Sequence, residues 1–484
     1  MNSLAEMIAE VCSQHAPRVC LIHEGNRITY GQFHRYVDSL AAGLQNLGVR
    51  KGDRVALMLP NCPEFPISYF ACQKIGAVAV TLSVLATPYE LGHLLTDSGS
   101  RILITQEQTA PRLREIADEL ISPPTLVTTR GLHEPSPFRE LVGDDHAKPT
   151  PVALAEEDGA VMIYTAGLTG RPLGAVLTHG NLLGQSLLLK IVFGGTAEDR
   201  SLAVIPFFHA FGAATNMLAA LRVGGSICLM ERFTLEGIFN TIQNERVTYV
   251  CAVPRLFIGM VFQQGAERYD LGSLRFCVTG GAAMPVEFFA EFHRRFGAVL
   301  LEGYGLTEAG PVCSVNPLFG VQKPGSIGPP IPGVELAILD EGGTPLPIGR
   351  EGELVVRGGN VMRGYHNNDE ATREVLRGGW LHTGDLARMD EDGYVFITGR
   401  KKRMIITSGF NVYPKEVEDV LRMHPAVKEA RVEGKEDLLR GEIVRALIVR
   451  DPAHEADERQ IMRHCRRYLS SYKVPREVAF VEKL

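Results

Sequence analysis

Three short segments of this chain set hydroxyls, carboxylates and a guanidinium among glycines, a mixture suited to nucleotide phosphates, a divalent cation and a ribose. The first is Tyr164-Thr-Ala-Gly-Leu-Thr-Gly-Arg-Pro-Leu-Gly-Ala-Val-Leu-Thr-His179, with Gly167, Gly170, Gly174 and the hydroxyls of Thr165 and Thr169 in a turn directly after an apolar run. Backbone N–H groups and hydroxyls of such a turn can wrap phosphate oxygens. No Gly-Lys-Ser/Thr follows at the spacing of a Walker A loop. Taken alone, the segment is more often a tight strand-to-helix connection. The second is Glu302-Gly-Tyr-Gly-Leu-Thr-Glu308, where Glu308 can hold a magnesium ion and Thr307 can bind a phosphate. The third, Trp380-Leu-His-Thr-Gly-Asp385 followed by Gly399-Arg400, offers an acid for ribose hydroxyls and a guanidinium for the same nucleotide. In isolation each is also an ordinary polar loop or a turn-capping group.

The elements that must position these residues begin with a β-α-β cadence. From Ile28 a strand leads into a helix over 30–47 with apolar Leu40, Leu44 and Leu47, a turn at Lys51-Gly52-Asp53, and a strand over 54–59. The pattern repeats with a helix over 66–75, a strand over 77–81, a helix from Pro88 and a strand over 101–105, which predicts a parallel sheet with crossover helices. Residues 131–151 are aperiodic and rich in Pro and Asp, as a surface connection would be, and a new strand starts at Gly159. Between 324 and 364 Gly and Pro punctuate short alternating strands, 334–339 and 353–357 among them, which predicts a small barrel or meander. After four basic residues at 400–403 come a strand over 404–406, a Gly-Phe-Asn-Val-Tyr-Pro loop, a helix from Pro414, strands over 427–432 and 442–449, and a helix over 458–469.

A chain of 484 residues exceeds what a single hydrophobic core supports, so at least two domains are expected. With 45% hydrophobic and 22% charged residues it is neither disordered nor fibrous. The net charge of -6, without a basic stripe, gives no nucleic-acid footprint. Nine cysteines without close pairing support neither a disulfide framework nor a zinc site. Residues 1–20 lack a basic segment followed by an apolar one, and no stretch is apolar enough to span a bilayer, so a cytoplasmic protein is expected.

Together and in this order, the segments resemble the adenylate-forming superfamily of acyl-CoA synthetases, luciferases and nonribosomal adenylation domains, from Thr29-Tyr30 to Pro475. Pro206-Phe-Phe-His-Ala-Phe-Gly212, Val253-Pro254, Thr279-Gly-Gly-Ala-Ala-Met-Pro285, Thr383-Gly-Asp385 and Ser408-Gly-Phe-Asn-Val-Tyr-Pro414 add to the likeness. The resemblance implies an α/β fold: a large N-terminal domain over 1–400 with parallel and mixed sheets, helices and a small β-barrel-like subregion, then a small mobile α+β domain over 401–484. It also implies an ATP-dependent carboxylic acid:CoA ligase that works through an acyl-adenylate with Mg2+ and coenzyme A. Its partners would be these small molecules; a peripheral membrane contact and a homodimer are compatible with the likeness.

By motif position, the resemblance implies that Thr165, Gly167, Thr169 and Gly170 cradle phosphates. Gly281, Ala282, Ala283 and Tyr304 would line the adenine, Asp385 and Arg400 the ribose, Thr307 the α-phosphate and Glu308 the magnesium ion. His209 would stand beside the reacting carboxylate; outside this context it reads as a helix-start histidine. Lys402 would be the pivot of the small domain, and Ser408-Gly409-Phe410 would wall a pantetheine tunnel that a side chain at Gly409 would obstruct.

Two departures from the family pattern stand out. Ala166, Leu168 and Leu173 occupy two hydroxyl positions and the lysine position of the phosphate loop. One lost charge-assisted hydrogen bond is worth about 1.5 to 3 kcal/mol, so a slower adenylating site is expected. The sequence also ends at Leu484, before the loop whose lysine serves adenylation in the family, and Lys473 and Lys483 come too early to be it. Without such a donor the first step would slow by on the order of 10² to 10³, and thiol transfer would suffer less.

For the acid, the small apolar residues between Pro206 and Gly225 are similar to fatty-acid members, so a medium- or long-chain fatty acid is expected. The alternatives are an aryl-CoA ligase of coumarate or benzoate type, or a pseudoenzyme that binds nucleotide or acyl-AMP. An acyl-ACP ligase is further off, as is an amino-acid adenylation domain, since no acid lies between Ala210 and Thr215 to meet an ammonium.

Overall fold

From Arg54 onward the β-α-β cadence folds as one side of a seven-stranded sheet, but the strand at Ile28, Asn26–Thr29, pairs antiparallel with Val19–His23 in a different sheet, so the first expected β-α-β unit is not formed. The computed structural model describes residues 1–143, 147–166, 171–401, 404–437 and 439–484. The sheet runs in the order Gly364–Tyr365, Pro172–Thr178, Gly159–Ala166, Val78–Thr81, Arg54–Met58, Ile102–Gln106, Thr125–Thr129, parallel from Gly159–Ala166 onward and antiparallel at the Pro172–Thr178 edge. The helix Tyr30–Asn46 is fixed at its start by a capping box, Thr29 accepting from the Gln32 amide while the Gln32 side chain accepts from Thr29, and it buries Phe33, Val37, Leu40 and Leu44. The helix Pro88–Ser98 repeats the device with Thr87 and Glu90, adds Pro88 in its first turn, and ends on Gly99 in the left-handed region.

A second sheet of eight strands has the order Val312–Val315, Val299–Gly305, Phe276–Thr279, Tyr249–Ala252, Arg200–Ala203, Ser226–Leu229, Val19–His23, Asn26–Thr29, parallel except at its two edges. The β-rich stretch expected as a barrel or meander is a five-stranded antiparallel sheet built from Val334–Leu339, Gly352–Gly358, Leu376–Arg377, Trp380–Met389 and Val395–Arg400. The C-terminal domain is a smaller α+β unit. Its strands Ile405–Thr407, Phe410–Val412, Val427–Asp437 and Gly441–Arg450 pair antiparallel, Glu477–Phe480 joins in parallel, and helices Pro414–Arg422 and Glu458–Tyr468 complete a separate apolar core.

Residues 131–151 are not wholly irregular. Pro137–Val142 is a helix with Ser136 as its cap and Pro137 in its first turn, and it buries Phe138 and Val142. It packs against the helix Tyr30–Asn46 at Gly43, where a Cβ would come within 3.1 Å of Leu141. No helix among the described residues is long and apolar enough to cross a membrane.

Candidate active site

All four sheets contribute to one cavity of about 280 Å³. Strands Phe276–Thr279 and Val299–Gly305 present their carboxyl ends to it, where the chain turns outward and leaves backbone groups for a ligand, while Tyr249–Ala252 lines it through Tyr249 and Cys251. Of the predicted site residues, Thr165, His209, Gly281, Ala282, Ala283, Tyr304, Thr307, Glu308, Asp385, Arg400 and Gly409 line this cavity. Gly167, Thr169, Gly170 and Lys402 lie outside the described residues, as does Leu168. Ser408 and Phe410 are not among the lining residues: the Ser408 hydroxyl accepts from Arg255 at 3.1 Å, and the Phe410 ring stacks on Tyr472 at 4.5 Å.

Asp385 and Arg400 are held together by strand register, since they face each other across the pairing of Trp380–Met389 with Val395–Arg400. Arg400 Nε donates to Asp385 Oδ1 at 3.2 Å, and Tyr304 donates its hydroxyl to Asp385 Oδ2 at 2.5 Å. Burial raises the Tyr304 phenol well above its ordinary value, with the Asp385 charge adding to the shift, so it stays a donor. The approach of Tyr304 depends on its neighbour: a Cβ at Gly305 would stand 2.1 Å from the Pro311 carbonyl.

Behind Asp385, Glu353 orders the strand. Its carboxylate accepts from the Gly384 amide at 3.2 Å, from His382 Nδ1 at 3.0 Å and from Lys401 Nζ at 3.2 Å. Burial pushes its carboxyl up, but His382 and Lys401 bring it below the ordinary value.

Glu308 and Thr307 sit in a short 3₁₀ turn at the end of the neighbouring strand, and Tyr365 donates to Glu308 Oε1 at 2.8 Å. The Glu308 carboxylate beside the Thr307 hydroxyl, both lining the cavity, matches Mg2+, which binds through one or two carboxylates with substrate phosphates supplying other ligands. Among the described residues that line the cavity, the only Lys or Arg is Arg400. Leu173 lies opposite Thr165 in the strand pair and also lines the cavity, so the lysine position of the phosphate loop presents an apolar side chain there.

His209 caps the short helix Ala210–Gly212, Nδ1 accepting from the Phe211 amide at 3.2 Å. Burial pushes its pKa down to about 4, so at neutral pH Nε2 carries the single ring proton. The helix-start role and the place beside the cavity are therefore compatible. The chain continues as a π-helix, Ala213–Leu218, and Phe211, Thr215 and Ala219, four residues apart, all reach the cavity. The same region of the wall carries Phe193, Tyr249 and Phe276, whose rings stack nearly parallel at 4.5 and 5.4 Å, and the Tyr249 hydroxyl donates to the Thr215 carbonyl at 3.0 Å.

Glu302 opens the second glycine-flanked segment, and its own role emerges only in the fold. It lines the cavity at 4% exposure, accepting from the Met284 amide at 3.2 Å, and its Oε2 has no hydrogen-bond partner. Burial raises its pKa to about 7, against the Met284 and Gly325 amides. Between the ordinary carboxyl value and about 7 the folded chain holds a proton that the unfolded chain releases. Stability therefore falls as pH rises through this window, by about 3 kcal/mol in all. Urea midpoints at pH 5 and pH 7.5 should separate more in the unaltered protein than in Glu302→Gln, which cannot titrate; equal separations would contradict the assignment.

Comparisons with known proteins show the family to which the chain belongs. The AMP-binding enzyme model matches residues 8–366, and the AMP-binding enzyme C-terminal domain model matches 416–484. The chain is 34% identical to a long-chain-fatty-acid–CoA ligase of Bacillus subtilis, covering 100% of this chain and 92% of that protein. It is 37% identical to a feruloyl-CoA synthase of an Amycolatopsis species, covering 98% and 93%. Among solved structures, a double mutant of Bacillus subtilis o-succinylbenzoate CoA synthetase, bound with its product analogue OSB-NCoA, superposes with a TM-score of 0.89 at 28% identity, covering 99% of this chain and 95% of that one. The chain belongs to the AMP-binding enzyme family. It is an AMP-forming acid–thiol ligase that uses ATP, Mg2+ and CoA, with an acyl or aryl acid as the third substrate.

Proposed function

We propose that this ligase activates a compact apolar acid, preferentially a planar aryl or arylpropenoic acid, as its adenylate and passes the acyl group to CoA. The observation that carries the reading is that Thr307, Glu308, Tyr304, Asp385 and Arg400 line one cavity together with the aromatic residues Phe193, Tyr249 and Phe276.

In the first half-reaction the carboxylate oxygen attacks the α-phosphorus of ATP, the bond to the bridging oxygen breaks, and pyrophosphate departs with the electron pair. Tyr304 and Asp385 hold the sugar side of the nucleotide, Thr307 donates to the α-phosphate, and the His209 Nε2–H orients the carboxylate without charging. Arg400 supplies fixed positive charge where negative charge gathers. A magnesium ion held by Glu308 and phosphate oxygens would supply the remaining neutralisation. In the second half-reaction the CoA thiolate attacks the acyl carbon and AMP leaves.

The 0.89 superposition spans 99% of the chain, and that relative carries a product analogue, which supports assigning this arrangement of the small domain to thiol transfer. We read the domain boundary as falling between residues 400 and 401, a reading supported by the third sheet ending at Arg400 and the small sheet starting at Ile405, and we take Lys402 as the pivot from its motif position alone. All nine cysteines are buried and unpaired, which favours a cytoplasmic location.

The flat wall of Phe193, Phe276 and Tyr249 favours an aromatic acid, because stacked rings offer a planar partner an offset face. A medium- or long-chain fatty acid is the second reading, favoured by the small Ala219 and the aliphatic Leu188 and Leu189 on the same wall. ATP–pyrophosphate exchange over a panel of benzoic, cinnamic and C6 to C16 fatty acids separates the two. The best aryl acid should exceed the best fatty acid by about tenfold or more. The reverse order would select the fatty-acid reading, and no exchange with any acid would overturn both.

A further inference from the structure

Where the small domain rests on the large one, four buried polar side chains meet, none of them lining the cavity. Glu90 sits in the first turn of the helix Pro88–Ser98, with Oε2 accepting from the Thr87 amide at 2.9 Å and from the Ser470 hydroxyl at 2.5 Å. Its Oε1 accepts from Lys473 Nζ at 2.7 Å, and the same ammonium donates to Glu416 Oε1 at 2.7 Å. Side-chain exposures are 8% for Glu90, 9% for Lys473 and 11% for Glu416. Beside them the Thr87 hydroxyl donates to the Tyr468 carbonyl at 3.0 Å, and the Tyr89 and Tyr468 rings meet edge to face at 5.3 Å.

Burial alone would push the Glu90 carboxyl up, but Lys473, Ser470 and the Thr87 amide hold it below its ordinary value. Glu416, with one oxygen lacking a partner, is left raised by its burial. Burial also opposes the Lys473 charge, yet the groups around it, Tyr472 and the two carboxylates, keep it protonated.

Buried ion sets of this kind add little net stability over apolar packing, whereas removing one member is costly, so their effect is to discriminate one arrangement from others. This set is also built to come apart. On separation Glu90 keeps its capping bond to Thr87 and meets water, while Lys473 keeps Glu416 within its own domain. Neither half is left as an isolated buried charge.

We infer that Glu90 is a positioning residue for thiol transfer: through Lys473 and Ser470 it latches the small domain in the orientation that brings Gly409 against Val253 at the cavity. The assignment rests on the two-step reading above. It differs from the ribose and magnesium residues in acting on one half-reaction.

Glu90→Gln is the discriminating variant, because glutamine also serves in a capping box, so the helix start survives while the ionic link is lost. ATP–pyrophosphate exchange should stay within about twofold of the unaltered protein. CoA-dependent consumption of a supplied acyl-adenylate should fall about tenfold or more. Ser470→Ala, on the other side of the interface, should show a smaller loss in the same step, and it decides the matter should Glu90→Gln not fold. Equal loss in both half-reactions, or unchanged thiol transfer in both variants, would overturn the latch. Absence of both half-reactions in the unaltered protein would instead overturn the two-step reading, and the latch with it.

Discussion

Glu308→Gln is expected to lower ATP–pyrophosphate exchange by on the order of 10² to 10³ and to raise the Mg2+ concentration needed for half-maximal rate. Glu308 is the carboxylate of the Thr307–Ala309 turn and lines the cavity, where the other nearby acid, Asp385, is already engaged by Tyr304 and Arg400. The amide can still accept from Tyr365, and the Glu308 backbone carbonyl keeps the Met362 amide at 2.8 Å, so the turn should persist. A Tm within a few degrees of the unaltered protein would show that. Exchange within threefold of the unaltered rate would remove Glu308 from the metal-binding role.

Gly409→Leu is expected to reduce thiol transfer by on the order of 10² or more while exchange falls only a few-fold. Gly409 has φ +84°, and an added Cβ would stand 2.3 Å from Val253 Cγ1 and 3.2 Å from its Cβ. The loop cannot hold any larger residue there without moving away from the large domain. Gly409→Ala combined with Val253→Ala should recover part of the loss, since the collision is relieved and a left-handed backbone penalty of about 1 to 2 kcal/mol remains. The two rates measured separately, by exchange and by acyl-adenylate consumption, check this; equal loss in both would mean that Gly409 serves folding alone.

The sequence made the first half of the seven-stranded sheet legible because each strand, helix and turn there is local: Arg54–Met58, Val78–Thr81 and Ile102–Gln106 fall where alternation and turn residues put them. The helix Pro137–Val142 was hidden because its six residues show less than two turns of periodicity, although Ser136 and Pro137 are a start signal. The eight-stranded sheet could not be ordered from sequence. Val19–His23 lies beside Ser226–Leu229, and no local pattern reports a pairing over two hundred residues.

The polar end of the site was readable because Glu302 to Glu308, Thr383 to Asp385 and Arg400 keep family motifs. The aromatic wall was not, since Phe193, Tyr249 and Phe276 come from three segments whose meeting depends on sheet order. Glu353 and the Glu90–Lys473–Glu416 set were missed for a related reason. A carboxylate in a strand or a helix cap looks ordinary until its distant partners are known.

The most direct measurement of the central claim is the fate of oxygen. With an accepted acid labelled with 18O in both carboxylate oxygens, plus ATP, Mg2+ and CoA, attack of the carboxylate on the α-phosphorus must leave one labelled oxygen in each AMP released. Mass spectrometry of the nucleotide product should find AMP carrying a single 18O, with none in pyrophosphate. Unlabelled AMP, or ADP with labelled phosphate, would contradict the acyl-adenylate route and, with it, the roles of Thr307, Glu308, Asp385 and Arg400 in adenylation.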